Sequence, residues 1–489
     1  MDKFNLGAFT DILKGVKVKT ASALREILSA KDSETAGTLN ARERLEKLFD
    51  IGTFSEIGAY VRRRSSELET DPEYDFESVI CGWGAVNGRL VYAYSQDISR
   101  TSGSVSEAHA KKICELYRLA TQNGAPVVGI FDSAGALITE GVKALAGYGN
   151  IMKAVSSASG VIPQIALVTG NVSGAAAVIC GMYDIVIKCE DAALSVNPKF
   201  NINAGDAADS GITALKVPDV AAAVESAKLI LNYLPSNNAE GTPEGISNDN
   251  VNRTVSIAVG DAHDIITSVV DDGRFVELYS DYAPEMVGGL ASIGGVAVGI
   301  IATNKSVNCG VLSAPAARKA SRLVSLYDSF NIPVITLVDS CGLDKNVDSE
   351  SSPYAAELAK LASAYAASTA PVITVIAGEA YGSAFTVLGS KALGADIVLA
   401  LDNAKIAAMN ASSAVAFLMN DQITAEVSRA DLEKAWDESV ATPVAAAASG
   451  EIDDIIDSSE LRQRIAASVN MLSSKSMCSA SRKHLTMPL

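Results

Sequence analysis

The chain reads as an α/β protein made by duplicating one domain, and three observations predict this. The first is Pro126-Val127-Val128-Gly129-Ile130-Phe131, an apolar run of strand length, followed by Asp132-Ser133-Ala134-Gly135-Ala136-Leu137-Ile138-Thr139-Glu140-Gly141 leading toward a helix. A strand, a small-residue turn and a helix in succession leave backbone N–H groups pointing at whatever binds there. The second is repetition. Asp339 and Gly342 lie 207 residues after Asp132 and Gly135, as do Pro333 after Pro126 and Gly295 after Gly88. Gly382 and Pro371 lie 208 residues after Gly174 and Pro163. Two turns, two prolines and a hairpin that keep register across half a chain indicate an internal repeat. Third, buried-strand and helix patterns alternate in each half, which predicts largely parallel sheets with binding loops at the strand ends.

In chain order, residues 1–30 read as an N-terminal helical extension, with a first domain over 31–243 and a second over 244–489. Ala41–Phe49 is an amphipathic helix ending near Gly52, and Phe54–Val61 a strand. Asn87-Gly88 between apolar stretches signals a hairpin. Helix is expected over 103–123, 142–158 and 218–233, and strand over 161–169 and 184–187. Leu234–Asn250, rich in Pro, Asn, Ser and Gly, marks the domain boundary. The second half restarts with helix then strand over 261–277, a Gly294-Gly295 hairpin, a helix over 316–330 with Pro315 at its start, and a buried strand over 333–338.

The chain's 489 residues suit two or more domains, and 48% hydrophobic with 20% charged residues support a large core. A net charge of −17 without any basic tract argues against nucleic acid as a partner. Seven scattered cysteines with no C-x-x-C pair, and three isolated histidines (His109, His263, His484), give no metal template. The odd, widely spaced cysteines point to reduced thiols in a cytoplasmic protein, with Cys180 and Cys189 in the core. The N-terminus lacks the apolar centre of a signal peptide. Ala154–Tyr183 is uncharged but interrupted by Pro163, Gln164 and Asn171, so it reads as strand, loop and helix rather than a membrane span.

Each half carries two small-residue turns after buried strands, at 133–136 and 173–176 and at 340–342 and 382–385. Paired N–H donors there suit an oxyanion such as an enolate or a tetrahedral intermediate. The other reading is tight helix–strand packing, and four turns in two matched pairs weigh against it. Neither a phosphate-binding G-x-x-x-x-G-K-[ST] loop nor a G-x-S-x-G elbow is present. Cys341 could be a nucleophile, but none of the histidines is close to it in sequence. Glu140 fits a helix-start or buried polar partner better than an acid or base.

Several stretches carry a resemblance. They include Ala41-Arg42-Glu43-Arg44-Leu45, Ser95-Gln96-Asp97, His109-Ala110-Lys111-Lys112 and Ser159-Gly160-Val161-Ile162-Pro163-Gln164. In the second half they include Asp271-Asp272-Gly273, Phe330-Asn331-Ile332-Pro333, Ala380-Tyr381-Gly382-Ser383-Ala384, Gly394-Ala395-Asp396 and the closing Lys483–Leu489. From about Ala41 onward the chain resembles the carboxyltransferase subunits of biotin-dependent acyl-CoA carboxylases and the related acyl-CoA decarboxylases. The halves of those subunits are crotonase-like (ClpP/crotonase) domains, so two such α/β domains are expected here.

The resemblance implies a mechanism. A separate carrier brings carboxybiotin, the decarboxylated ureido group takes the α-proton of an acyl-CoA thioester, and the enolate attacks CO2. Protein catalysis is then positioning and oxyanion stabilisation. By motif, Ala134 and Gly135 would hold the thioester oxygen, and Ser383 and Ala384 the ureido oxygen. The implied substrate and cofactor contacts add Ser102, Gly103, Ser104, Ala136, Gly174 and Ala175 in the first half. In the second they add Cys341, Gly342, Tyr381, Gly382 and Thr386, the last at a position that helps set acyl size. Implied partners are a biotin carboxyl carrier protein, a biotin carboxylase or a membrane decarboxylase subunit, and further copies of the chain as a trimer of dimers.

The family pattern is not followed throughout. Ala134 stands for a Gly, Leu137 for an Arg, Thr139 for a Gln and Ser383 for a Gly, and Cys341-Gly342-Leu343 stands for Pro-Gly-Phe. The region between Phe200 and Asp219 is shortened. No Ala-Met-Lys-Met biotin-attachment motif and no ATP module accompany the turns. The leading expectation is a carboxylase subunit acting on acetyl- or propionyl-CoA. The alternatives are the same half-reaction in a sodium-pumping decarboxylase of malonyl- or methylmalonyl-CoA, a non-catalytic homologue, and a stand-alone crotonase-type hydratase or hydrolase.

Overall fold

The computed structural model describes residues 39–62, 76–197, 211–256, 260–346, 350, 353–424, 426–476 and 486. The helical extension expected over 1–30, most of the closing motif and part of the shortened region lie outside the described residues.

Helix α1 (Ala41–Leu48) opens the first half, with Asn40 and Glu43 capping each other's amides. Strands β1 (Ser55–Ile57), β2 (Val79–Val86) and β3 (Arg89–Gln96) form an antiparallel ribbon. Its hairpin turns at Asn87 (φ 50) and Gly88 (φ 75), the left-handed pair of a type I′ turn. Helix α2 (Glu107–Asn123) follows its N-cap Ser106 and starts four residues later than the sequence suggested. Next come β4 (Val127–Phe131), α3 (Val142–Ala158), β5 (Gln164–Val168), β6 (Asn171–Ser173), α4 (Ala175–Met182) and β7 (Ile185–Cys189). Strands β8 (Ala193–Ser195) and β9 (Leu215–Val217) and helix α5 (Val220–Tyr233) close the half. The sheet order is β1-β2-β3-β4-β5-β7-β9, parallel from β3 onward, with β6 and β8 as a separate pair.

The second half repeats this plan. Helix α6 (Ala262–Val269), β10 (Phe275–Glu277), β11 (Met286–Ile293) and β12 (Val296–Thr303) match the opening, with a hairpin at Gly294 (φ 61) and Gly295 (φ 84). Helix α7 (Ala314–Ser329), capped by Ser313 with Pro315 in its first turn, leads to β13 (Val334–Ser340). Then follow α8 (Tyr354–Ala367), β14 (Val372–Tyr381), the short α9 (Gly382–Val387), β15 (Ile397–Leu401) and β16 (Lys405–Ala407). The end consists of α10 (Ala411–Leu418), α11 (Arg429–Ser439), α12 (Pro443–Ala448), β17 (Asp454–Ile456) and α13 (Leu461–Leu472). The eight-stranded sheet runs β10-β11-β12-β13-β14-β15-β17, with β16 added beside β14.

One apolar core runs through both halves, from Leu45 and Tyr94 to Leu323 and Tyr327, and a second lies under α6 and α13. The halves also meet through polar bonds: the Tyr279 N–H donates to Ala214 O (2.7 Å), and Arg322 donates to the carbonyls of Tyr183 and Asp184. Cys180 and Cys189 are buried, as expected. No helix among the described residues is long and apolar enough to cross a membrane.

The repeat reaches further toward the N-terminus than the sequence disclosed. Arg42, Asp50 and Glu56 correspond to His263, Asp271 and Glu277, each 221 residues later. Asp50 accepts the N–H groups of Asn87 (3.1 Å) and Gly88 (2.8 Å), and Asp271 accepts those of Gly294 (2.9 Å) and Gly295 (2.8 Å). Against the 207-residue offset of the turns, fourteen extra residues lie between Glu56 and Gly88 in the first half.

Candidate active site

The focal turn stands on a left-handed bend. Thr101, Ser102 and Gly103 have φ of 43°, 53° and 66°. Gly103 lies flat against the end of β4, where a Cβ would come within 2.3 Å of the Asp132 carbonyl. The Ser133 hydroxyl donates to Gly103 O (2.7 Å), and the Ala134 N–H to Ser102 O (2.9 Å). The Gly135 N–H points at Ser133 Oγ (3.1 Å). Residues 135–137 then run extended beside Val105, which donates to Gly135 O and accepts from the Leu137 N–H.

The helix expected over 142–158 runs from Val142 to Ala158, after the extended stretch, a 3-10 turn over Ile138–Glu140 and a reversal at Gly141 (φ 56). One expectation is corrected. The Ala134 amide is not a free donor, because the bend carbonyl below consumes it. Among the described residues it is the Ala136 N–H that has no protein acceptor.

The second turn of this half does open a helix. Gly174 (φ 62) gives its N–H to Ser195 O (3.0 Å), and α4 then presents the unsatisfied amides of Ala175 and Ala176. The two turns are joined by the Ser133 N–H donating to Asn171 O (3.0 Å). Ser102, Gly103 and Ser104 brace this arrangement from below, Ser104 O taking the Ser78 hydroxyl (2.8 Å).

The other half copies the scaffold. Asn308, Cys309 and Gly310 have φ of 47°, 56° and 62°, and a Cβ on Gly310 would come within 2.4 Å of Asp339 O. The Cys341 N–H donates to Cys309 O (3.2 Å), the Gly342 N–H to Ser340 Oγ (3.2 Å), and Leu312 pairs with Leu343 as Val105 does with Ala136. Gly382 (φ 59) begins α9, whose leading amides include Ser383 and Ala384. A cavity of about 230 Å³ gathers Cys341, Gly342, Leu343, Tyr381, Gly382 and Ser383. An adjoining one of about 430 Å³ reaches Thr386, Ala446 and Glu451. The second-half candidates therefore come together, with the Ala384 side chain buried behind the helix start.

Charges lie beneath both turns. Arg44 Nη2 pairs with Asp132 Oδ2 at 2.9 Å in the interior. Lys305 spans Asp339 (3.3 Å) and Glu379 (3.0 Å). Burial lowers the Lys305 ammonium, but these carboxylates outweigh it and hold it above its ordinary value. The Cys341 thiol donates to Glu379 Oε2 (3.4 Å), and burial with that carboxylate pushes it up to about 12. A thiol held protonated in this way is a poor nucleophile, which argues against the Cys341 attack on substrate considered from sequence and leaves it only slow thiol exchange. Glu140 accepts the Glu107 N–H at 2.6 Å and so caps α2, as expected of a helix-start partner.

His109 is buried between Ser78 (3.1 Å) and Gln96, and burial pulls it down to about 3, so it stays neutral. Lys112 donates to Val79 O (2.6 Å). That motif is therefore structural. No group of His, Cys, Asp and Glu among the described residues could hold a metal ion.

Sequence reasoning missed Arg44, Lys305 and Glu379. Arg44 left a signal, a cation on the face of α1 that also carries Ala41, Leu45 and Leu48. Gly170 and Gly378 left another: a Cβ there would meet the Asp132 and Asp339 carboxylates at 2.0 and 2.3 Å. Nothing local marks Lys305.

Comparison with known proteins agrees with this architecture. The carboxyl transferase domain family matches residues 32–197 and 205–487. The chain is 34% identical to the methylmalonyl-CoA decarboxylase subunit alpha of Propionigenium modestum, covering 97% of this chain and 98% of that one. It is 34% identical to the propionyl-CoA carboxylase beta chain of Saccharopolyspora erythraea, covering 93% and 91%. The crystal structure of the transcarboxylase 12S hexamer, solved with hydrolysed methylmalonyl-coenzyme A bound, superposes with a TM-score of 0.88 at 32% identity over 96% of this chain and 95% of that one. The duplicated crotonase-like fold and these relatives make the chain a member of the carboxyl transferase domain family, a biotin-dependent acyl-CoA carboxyltransferase subunit.

Proposed function

We propose that the chain moves a carboxyl group between carboxybiotin, held on a separate carrier protein, and the α-carbon of acetyl- or propionyl-CoA. One observation carries this reading: each half offers spare turn amides next to a helix start, while among the described residues the smaller cavity is lined by no carboxylate or histidine. Such a site stabilises charge on oxygen and leaves proton transfer to the bound partners. We assign the thioester oxygen to the first half, with Ala136 and Ala175 as donors in place of Ala134. The ureido oxygen goes to Ser383 and Ala384, whose amides suit a carbonyl acceptor. Biotin, when bound, supplies the carboxyl group and the base for the α-proton. The domain boundary at 243/244 belongs to the same reading, supported by the Gly245 N–H, which bonds to Gly295 of the second-half hairpin.

A trimer of dimers fits exposed apolar residues beside the sites: Ile138, Val142 and Leu145 in the first half, Phe417 and Leu418 in the second. Reduced thiols support a cytoplasmic location. Purified chain given methylmalonyl-CoA or malonyl-CoA with free biotin is expected to release CO2 in a biotin-dependent way. Absence of decarboxylation with both thioesters contradicts the reading.

The near full-length match to a decarboxylase alpha subunit favours a second reading, the same half-reaction run toward CO2 release beside a membrane subunit. Affinity purification from the native cell separates the two. A biotin carboxylase in the complex indicates carboxylation, and a polytopic membrane protein indicates decarboxylation.

A further inference from the structure

Cys309 and Cys341 are backbone neighbours at the second-half turn. Cys309 is exposed in the middle of the left-handed bend, and Cys341 lines the cavity of about 230 Å³ with Gly342 and Ser383. The Cys341 N–H donates to Cys309 O at 3.2 Å. One backbone N–H···O bond keeps the Cα atoms of its two residues within about 7 Å of each other, the range from which a disulfide spanning roughly 4.4–6.8 Å can close. The duplication supplies a control: the same register positions in the first half are Ser102 and Ala134, with the same N–H to O contact at 2.9 Å and no sulfur.

We propose that Cys309 and Cys341 form a reversible dithiol modification site, closed to a disulfide by a low-molecular-weight disulfide or a peroxide, which switches off the second-half cavity.

The exposed Cys309 attacks first. With a small disulfide, its sulfur bonds one sulfur of the reagent, the reagent S–S bond breaks, and one small thiol leaves with the proton. Cys341 then attacks the Cys309 sulfur slowly, through the small thiolate fraction that its raised pKa leaves, and its proton departs with the second small thiol. The protein loses two hydrogens and the reagent gains them. With a peroxide, Cys309 becomes a sulfenic acid and the peroxide is reduced to water or an alcohol. Attack by Cys341 then releases water. Closure draws the Cys341 side chain from Glu379 toward the bend and shifts the turn that lines the cavity. Displacements of about 1 Å at a positioned site cost turnover heavily. The dithiol site rests on geometry alone, and only its effect on turnover rests on the carboxyltransferase reading.

The test uses the full chain, treated with oxidised glutathione or hydrogen peroxide, alkylated, and digested without reduction. The expected result is a linked pair of peptides containing Cys309 and Cys341, lighter by two hydrogens. Biotin-dependent decarboxylation should fall about tenfold or more and return with dithiothreitol. Cys309→Ser, which copies Ser102 of the first half, should start at wild-type activity and resist the oxidant. Full alkylation of both thiols after oxidation overturns the site. A linked protein with unchanged turnover, or a Cys309→Ser variant inactivated like wild type, overturns the switch. If the reduced enzyme shows no turnover, the functional reading has failed, and the peptide map still decides the site.

Discussion

Asp132 and Asp339 occupy the same place in the two halves, at the end of a central strand with the carboxylate against a glycine. What neutralises them differs. Asp132 is paired with Arg44, which reaches in from α1, and both side chains are about 6% exposed. Asp339 is paired with Lys305, 29% exposed, which also holds Glu379 and through it the Cys341 thiol. The same backbone turn is thus fixed from the interior in one half and from the solvent edge in the other. A second contrast lies at the start of the repeat. Arg42 ties α1 to β1 through Glu56 (2.6 Å), while at the matching place His263 ties α6 to β10 through Glu277 (2.9 Å). One tie carries a permanent charge and the other titrates. Duplication preserved the scaffold that aims the amides and left the charges free to diverge.

Removing Arg44 is the severest way to break this comparison. Arg44→Met leaves a buried carboxylate without its cation, and urea unfolding should show a loss of about 3–5 kcal/mol. Lys305→Met removes the more exposed counterpart and should cost about 1 kcal/mol in the same experiment. Equal losses would mean that the second turn is held as rigidly as the first.

The smallest effect is a pH dependence. Burial lowers the His263 imidazole, but its hydrogen bonds to Glu277 and Asp261 outweigh this and raise it above its ordinary value. A raised value in the folded state means the tie stabilises fully below the ordinary histidine pKa, about 6.5, and fades as pH rises through the folded value. The Tm deficit of His263→Gln should therefore be larger at about pH 5.5 than at about pH 8.5. The deficit of Arg42→Gln should stay constant over that range.

Much of the scaffold was legible because it rests on backbone demands that leave fixed residue types. Asn87-Gly88 and Gly294-Gly295 must take positive φ, and Pro126 and Pro333 precede the central strands, so these positions kept register. The extra residues between β1 and β2 broke that register and hid the kinship of α1 with α6. The donor assignment was harder. Whether an amide is free depends on which carbonyl lies below it, and Ser102 O reaches Ala134 only once the left-handed bend has formed. Lys305 and Glu379 were illegible for the same reason, since they meet only when β12 and β14 flank β13.

The central claim is that the first half holds the thioester and the second half holds biotin. Ala175→Pro removes the first amide of α4, and Ser383→Pro removes the second of α9. Proline fits the first turn of a helix, as Pro315 does in α7. Both proteins should fold, and biotin-dependent decarboxylation of methylmalonyl-CoA should be followed against each substrate. Ala175→Pro should lower kcat by about 10²-fold with an unchanged half-saturating biotin concentration, while Ser383→Pro should raise that concentration and spare the KM for the thioester. Full turnover in both variants, or a thioester defect in Ser383→Pro, would contradict the assignment.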